Sequence, residues 1–320
     1  MKHRTFGSSG RRISEIGFGG WAIGGDNFGL AYGPVDDKES RSSIRRALEL
    51  GVTFFDTADI YGNGHSEALI GSELSQWPGR DNVVVATKGG INFYRAGERP
   101  EEDYTPYGIA HAVEQSLTRL RQKTIDLYLL MNPPIDLLLQ TDRVWETLAS
   151  LRRAGKIQWF GVSVSDAEEG VKLLNAGIQL DAIEVTYNMF FQSPALRLLP
   201  KAHKKKVAII AREPLANGLL AKSPRHRIFA PTDHRSQATP EYISTVSDYL
   251  DKLSFLETPG RTKAQAALRF VLDHPAVTTA IPGARTTDQV QENCAATYLP
   301  PLTDTERLSI HQVFFPEDDA

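Results

Sequence analysis

Cysteine occurs once in the 320 residues, at Cys294. A lone thiol cannot close an intramolecular disulfide, so the chain must be held by its own core, and a reducing compartment is the natural setting. No stretch approaches the ~20 apolar residues that a helical membrane span needs. The opening Met1-Lys2-His3-Arg4-Thr5 leads into no apolar run of secretory type. A cytoplasmic protein without a membrane partner is therefore expected. Charge of one sign is also scarce, with a formal net charge of -3. The dense basic run Lys204-Lys205-Lys206 reads as a solvated helix end before a strand, so no nucleic-acid partner is expected. The histidines are scattered, and no His-x-His stands at a strand end, which argues against a metal-dependent hydrolase.

Apolar residues are plentiful, at 41% against 23% charged, enough for a packed core and against wholesale disorder. They alternate between short β-branched runs and longer amphipathic segments. The runs at 15–19, 52–56, 83–87, 126–130, 159–163, 182–186, 207–211 and 278–281 read as buried parallel strands. Helical patterns lie at 38–50, 107–121, 143–154, 167–175, 195–205, 262–273 and 288–296. About eight strand–helix units predict an α/β protein: one (β/α)8 TIM barrel domain over 1–320, with a short N-terminal hairpin around Gly7-Ser8-Ser9-Gly10 and a C-terminal extra helix. A doubly wound sheet is disfavoured, because Gly17-Phe18-Gly19-Gly20-Trp21 lacks the GxGxxG spacing of a nucleotide-binding turn. Residues 216–239 are rich in Pro, His and Arg without a period, which reads as a functional loop.

Catalytic groups of such a barrel come from the C-terminal ends of its strands. Two charges end apolar runs there, Asp56 and Lys88, and each is costly to bury unless they pair. Tyr61 follows five residues after Asp56, near enough for its loop to fold the hydroxyl back over the pair. Reducing a carbonyl needs a hydride at carbon and a proton at oxygen. A phenol, with a pKa near ~10, is a poor acid–base group at neutral pH. A neighbouring ammonium is expected to lower that value, with a carboxylate holding the lysine charged and in place.

The stretch Phe55-Asp56-Thr57-Ala58-Asp59-Ile60-Tyr61-Gly62-Asn63-Gly64-His65-Ser66-Glu67 closely resembles the aldo-keto reductase signature, as does Ala86-Thr87-Lys88. Further matches run nearly end to end: Gly17 to Trp21, Ile125 to Tyr128, Gly161 to Ser163, Pro214 to Leu220 and Ile281 to Arg285. Their order and spacing are specific together, though each is weak alone. The resemblance implies an NADP(H)-dependent oxidoreductase, with NAD(H) the less favoured cofactor, acting on a small-molecule substrate. Asp56, Tyr61 and Lys88 would be three members of a catalytic tetrad, and Tyr61 its general acid. A histidine should be the fourth, but its position holds Met131. A thioether donates no hydrogen bond, and the adjacent Asn132 could serve only if a bulge or turn rotated it inward.

The cofactor positions implied by the resemblance are Gly20, Trp21, Asp56, Ser163, Glu184, Arg212, Pro214, Leu215, Gly218, Leu219, Gly283, Arg285, Gln289, Glu292 and Asn293. Two contacts depart from the family's usual residues, and a third position varies within it, with arginine in some relatives. Val164 follows Ser163 where asparagine is usual; Glu184 stands where glutamine is usual; Arg212 takes a place often held by tyrosine. The Glu184 charge is expected to favour the oxidised, cationic ring and to penalise hydride donation slightly. Arg285, at a helix start, is placed for a 2′-phosphate. Trp21, Tyr61, Phe93 and Met131 are expected against substrate, with Phe28 and Tyr94 near the mouth. The reaction expected is reduction of a carbonyl, C=C or imine. The alternative is a non-catalytic or weakly catalytic NADP(H)-binding protein, against which the retained Asp56, Tyr61 and Lys88 argue.

Overall fold

The structure, a computed structural model, describes residues 1–26, 32–94 and 100–315. Its strands are β1 (His3–Thr5), β2 (Arg12–Ser14), β3 (Phe18–Gly19), β4 (Phe54–Asp56), β5 (Val84–Gly89), β6 (Ile91–Asn92), β7 (Glu101–Glu102), β8 (Ile125–Met131), β9 (Ile157–Ser163), β10 (Ala182–Thr186), β11 (Ala208–Arg212) and β12 (Val277–Ala280). Eight of them pair in parallel in the order β12-β11-β10-β9-β8-β5-β4-β3. The two ends meet: Ile16 bridges Ala280 and Gly19 bridges Gly283, with Gly17 N–H donating to Ala280 O (2.8 Å) and Gly19 N–H to Pro282 O (3.1 Å). The sheet thus closes into a (β/α)8 barrel with its edge strands satisfied.

The helices are α1 (Asp37–Glu49), α2 (His65–Leu74), α3 (Pro106–Leu120), α4 (Ile135–Gln140), α5 (Arg143–Arg153), α6 (Ala167–Asn175), α7 (Leu198–Lys205), α8 (Pro240–Lys252), α9 (Lys263–Leu272), α10 (Thr287–Ala295) and α11 (Asp304–Phe314). No described helix is long and apolar enough to cross a membrane. Three of these helices have no counterpart in the sequence pattern. In α2 the reason is composition: its buried residues include Ser66, Glu67, Gly71, Ser72 and Glu73, so no apolar stripe announces it. The short α4 and the Thr239-capped α8 flank the long connections after β8 and β11. The final helix, α11, is the expected C-terminal one and starts with a capping box of Thr303 and Glu306.

Strand alternation separates two cores. Phe54, Val84, Ala86, Leu127, Leu129, Ala182, Ala208 and Ile210 cluster inside the barrel. Phe55, Val85, Tyr128, Leu130, Val162, Ile183 and Ile209 meet the helix ring outside. The β1–β2 hairpin pairs His3 with Ser14 and Thr5 with Arg12. Its Phe6 and Ile13, both fully buried, join the inner cluster and plug the N-terminal end of the barrel. The opposite, C-terminal end is left for the polar residues that finish the same inward series. A satellite core of Leu219, Leu220, Val246, Leu250 and Ile310 anchors the connection after β11 against α8 and α11.

Candidate active site

Inward alternation continues past the hydrophobic layers and sets Asp56 two residues after Phe54, Lys88 two after Ala86, and Met131 two after Leu129. Asp56 and Lys88 are 2% and 1% exposed. Lys88 Nζ donates to Asp56 Oδ1 (2.6 Å), Asp56 Oδ2 (2.7 Å) and Thr57 O (3.0 Å). Glu184, from β10, brings Oε2 to 3.2 Å from the same ammonium. Burial alone would discharge Lys88, but the Asp56 and Glu184 carboxylates outweigh it and hold the ammonium well above its ordinary value. Burial first, and then the Glu184 charge, push the Asp56 carboxyl well up.

Tyr61 reaches this cluster on a tight loop. Gly62 (φ +61°), Asn63 (φ +50°) and Gly64 (φ +93°) turn the chain into α2. A Cβ at Gly62 would strike Gly24 O, so only glycine lets this loop pack against the turn after β3. Gly20 has the same role: a Cβ there would lie 2.6 Å from Ser66 Oγ and 2.7 Å from Asp56 O. Thr57 Oγ1 donates to Ser66 Oγ, which donates to Gly20 O, each at 2.9 Å, and these bonds tie the two loops. The Tyr61 ring meets Trp21 edge-on at 4.9 Å and lies 5.2 Å from Lys88 Nζ.

The expected acidification of Tyr61 is not what the geometry gives. Burial is the largest influence and raises the phenol above its ordinary value; Lys88 pulls it down, while Asp56 and Glu184 push it up again. One ammonium facing two carboxylates has little net field left with which to lower a neighbouring phenol. The group is a neutral O–H near neutral pH, which suits a proton donor.

At the fourth position Met131 lines the cavity, its carbonyl accepting from Tyr104 Oη at 2.6 Å. Asn132 adopts φ +47° and donates its backbone N–H to Ser163 O (2.8 Å). The turn does not carry its side chain to the cavity wall: Asn132 is not among the lining residues, and its buried Oδ1 accepts no hydrogen bond among the described residues.

A cavity of about 680 Å³ opens over these groups. Of the anticipated residues, Trp21, Asp56, Tyr61, Met131, Glu184, Arg212, Pro214, Leu215, Gly218, Gly283, Arg285, Gln289, Glu292 and Asn293 line it. Ser163 stands behind Glu184, donating from Oγ to Glu184 Oε1 at 3.0 Å. Lys88 stands behind Asp56, Gly20 behind the Asp56 loop, and Leu219 belongs to the satellite core. Phe93 stacks on Tyr94 at 4.3 Å and is not a lining residue. Tyr94 Oη in turn donates to Asp59 Oδ2 (3.3 Å). Phe28 lies outside the described residues.

Tyr32, Lys222, Arg227, His234 and Arg235 also line the cavity and were not anticipated individually, although four of them fall in the aperiodic 216–239 segment read as functional. Arg235 sits between the Tyr32 and Phe229 rings (4.5 and 4.7 Å), pairs with Asp233 (2.7 Å) and donates to Asn217 O (2.9 Å). Tyr32 Oη donates to Asn217 Oδ1 (2.8 Å), so the loops after β3 and β11 join over the cavity. Arg285 donates to Tyr32 O (2.9 Å) and to Pro34 O, which makes it part of that junction. Burial and the neighbouring Arg235 charge hold the Arg227 guanidinium below its ordinary value, as happens where cations crowd together. The arrangement can therefore take a long ligand: anionic groups beside Lys222, Arg227 and the Thr286-capped start of α10, and a flat ring near Glu184, Arg212 and Tyr61.

A family model described as "Aldo/keto reductase family" matches residues 15–313. The chain is 33% identical over 304 residues to "Aldo-keto reductase YhdN" of Bacillus subtilis, covering 91% of this chain and 87% of that one. It is 30% identical over 313 residues to the "NADH-specific methylglyoxal reductase" of Escherichia coli, covering 92% and 93%. The solved structure of the glycerol dehydrogenase AKR11B4 from Gluconobacter oxydans superposes with a TM-score of 0.82 at 29% identity, covering 97% of this chain and 94% of that one.

Proposed function

The chain belongs to the aldo/keto reductase family of oxidoreductases, and we propose that it reduces the carbonyl of a small metabolite with NADP(H), Tyr61 giving the proton. The observation that carries this reading is the fully buried Asp56–Lys88 pair, with both carboxylate oxygens held by one ammonium beside a phenol that lines the same cavity as Asp56. A structural ion pair needs no such opening, and burying two charges costs several kcal/mol per ion before pairing.

The cavity's residues fit a nicotinamide dinucleotide. Lys222, Arg227 and Arg285 offer positive charge, Gly218 at φ +81° permits close backbone approach, and Arg212 presents a planar guanidinium whose buried Nε has no hydrogen-bond partner among the described residues. When bound, the dinucleotide supplies the hydride. Tyr61 supplies the proton to the carbonyl oxygen, Lys88 and Asp56 fix the charge beneath the phenol, and Trp21 braces its ring. Met131 contributes an apolar wall and no donor, so orientation of the carbonyl oxygen falls to Tyr61. We assign Trp21, Tyr61 and Met131 to the substrate end of the cavity.

NADPH turnover against a panel of aldehydes tests this reading, and Met131→His sharpens it. The native chain should consume NADPH with at least some aldehydes. The variant should be faster by about tenfold or more with simple aldehydes, because one added hydrogen bond to charge developing on oxygen can supply that much. A variant no faster than the native chain would mean that another donor already serves the oxygen.

The preference for NADP(H) over NAD(H) rests on the cations of the cleft, and one of the relatives above carries NADH in its name. Arg285→Ala should weaken NADPH about tenfold more than NADH, the size expected for one charge-assisted hydrogen bond. Equal losses, read by fluorescence titration, would remove the 2′-phosphate contact and leave Arg285 only its bonds to the loop after β3.

A further inference from the structure

Glu184 is 1% exposed, yet it lines the cavity. Its Oε1 accepts from Ser163 Oγ, while Oε2 lies 3.2 Å from Lys88 Nζ and the carboxyl group also faces that of Asp56. The three donor positions of that ammonium are already used by Asp56 and Thr57 O. Two carboxylates therefore share one cation. The next cation on the wall, Arg212, is bound to Glu213 (2.8 Å) and to Val164 O (3.2 Å). While both carboxyl groups are ionised, one negative charge is left over in a wall from which water is largely excluded.

Resting on the dinucleotide reading above, we propose that Glu184 makes the site bind the oxidised, cationic nicotinamide more tightly than the reduced, neutral ring, and so turns bound reduced cofactor into a stronger hydride donor. In the reduction the carbonyl carbon takes a hydride from the ring and the carbonyl oxygen takes the Tyr61 proton. The ring is left cationic, and the phenolate is reprotonated from water. A wall charge that stabilises the cation stabilises what hydride donation produces. This reverses the sign of the sequence-based expectation that Glu184 penalises donation: the penalty falls on the opposite transfer and on release of oxidised cofactor. The device also bears on Met131. Where no histidine assists the carbonyl oxygen, part of the driving force is placed at the hydride.

The test is a set of dissociation constants for NADP+ and NADPH, measured by fluorescence or calorimetry in the native chain, in Glu184→Gln and in Glu184→Asp. The glutamine variant keeps shape and loses charge; the aspartate keeps charge. Relative to the native chain, Glu184→Gln should shift the affinity ratio toward NADPH by about tenfold or more, the scale expected of a close charge pair in a partly shielded site. Glu184→Asp should stay near the native ratio. A ratio unmoved in Glu184→Gln, with both forms still binding, would overturn the proposal and leave the dinucleotide reading standing. A native chain that binds neither form would overturn that reading, and this proposal with it.

Discussion

Tyr61→Phe should lower kcat by at least about a hundredfold while NADPH affinity stays within about twofold of the native value. General acid catalysis by a positioned group contributes about 10²–10⁴ in rate, which sets the scale of the loss. The ring is what packs: Trp21 meets it edge-on and Lys88 lies over it. Phenylalanine preserves both contacts and deletes only the hydroxyl, so the cavity should keep its shape. Steady-state rates and a tryptophan fluorescence titration with NADPH measure the two halves separately. Full activity in the variant would remove Tyr61 as the proton donor. A parallel loss of cofactor binding would point to a collapsed loop and not to missing chemistry.

The second large effect is on stability. Lys88→Met should abolish turnover and destabilise the fold by about 3–5 kcal/mol, the cost of removing one partner from a buried ion pair. The pH dependence carries the diagnosis. Burial and Glu184 already raise the Asp56 carboxyl, and Lys88 is the influence that lowers it. Without Lys88 the folded-state value rises further above the unfolded one, near ~3.9. The folded variant then binds more protons than the unfolded chain. Its stability is greatest in acid and falls as pH rises through the folded value. Lys88→Met should thus melt appreciably higher at pH 5 than at pH 8. The native chain should show a shallower slope, because Lys88 offsets much of the carboxylate charge. A variant destabilised equally at both pH values would show that the lost side chain acted through packing and not through charge.

The site was legible to the extent that it follows strand alternation and signature spacing. Asp56 and Lys88 each close an apolar run, and the parity of Phe54 and Ala86 already points them inward. The turn chemistry of Gly62-Asn63-Gly64 likewise announces that Tyr61 is delivered on a tight loop. The individual roles of Tyr32, Lys222, Arg227 and Arg235 were not legible, because they come from two connections without periodicity that meet only in the fold. Phe93 stacks on Tyr94 and does not line the cavity, since an aromatic residue in a loop can stack on its neighbour as readily as it can face a ligand.

The amino-acid sequence by itself pointed to the barrel and its inward rows, because periodicity and spacing are local properties, and with the family resemblance it singled out Asp56, Lys88 and Tyr61 as candidates. Tertiary structure decided the balance of charge. Glu184 lies 96 positions after Lys88 in the chain, yet adds a second carboxylate to the same ammonium. Burial of Tyr61 first, and then the two carboxylates that offset Lys88, turn a phenol expected to be acidified into one that keeps its proton.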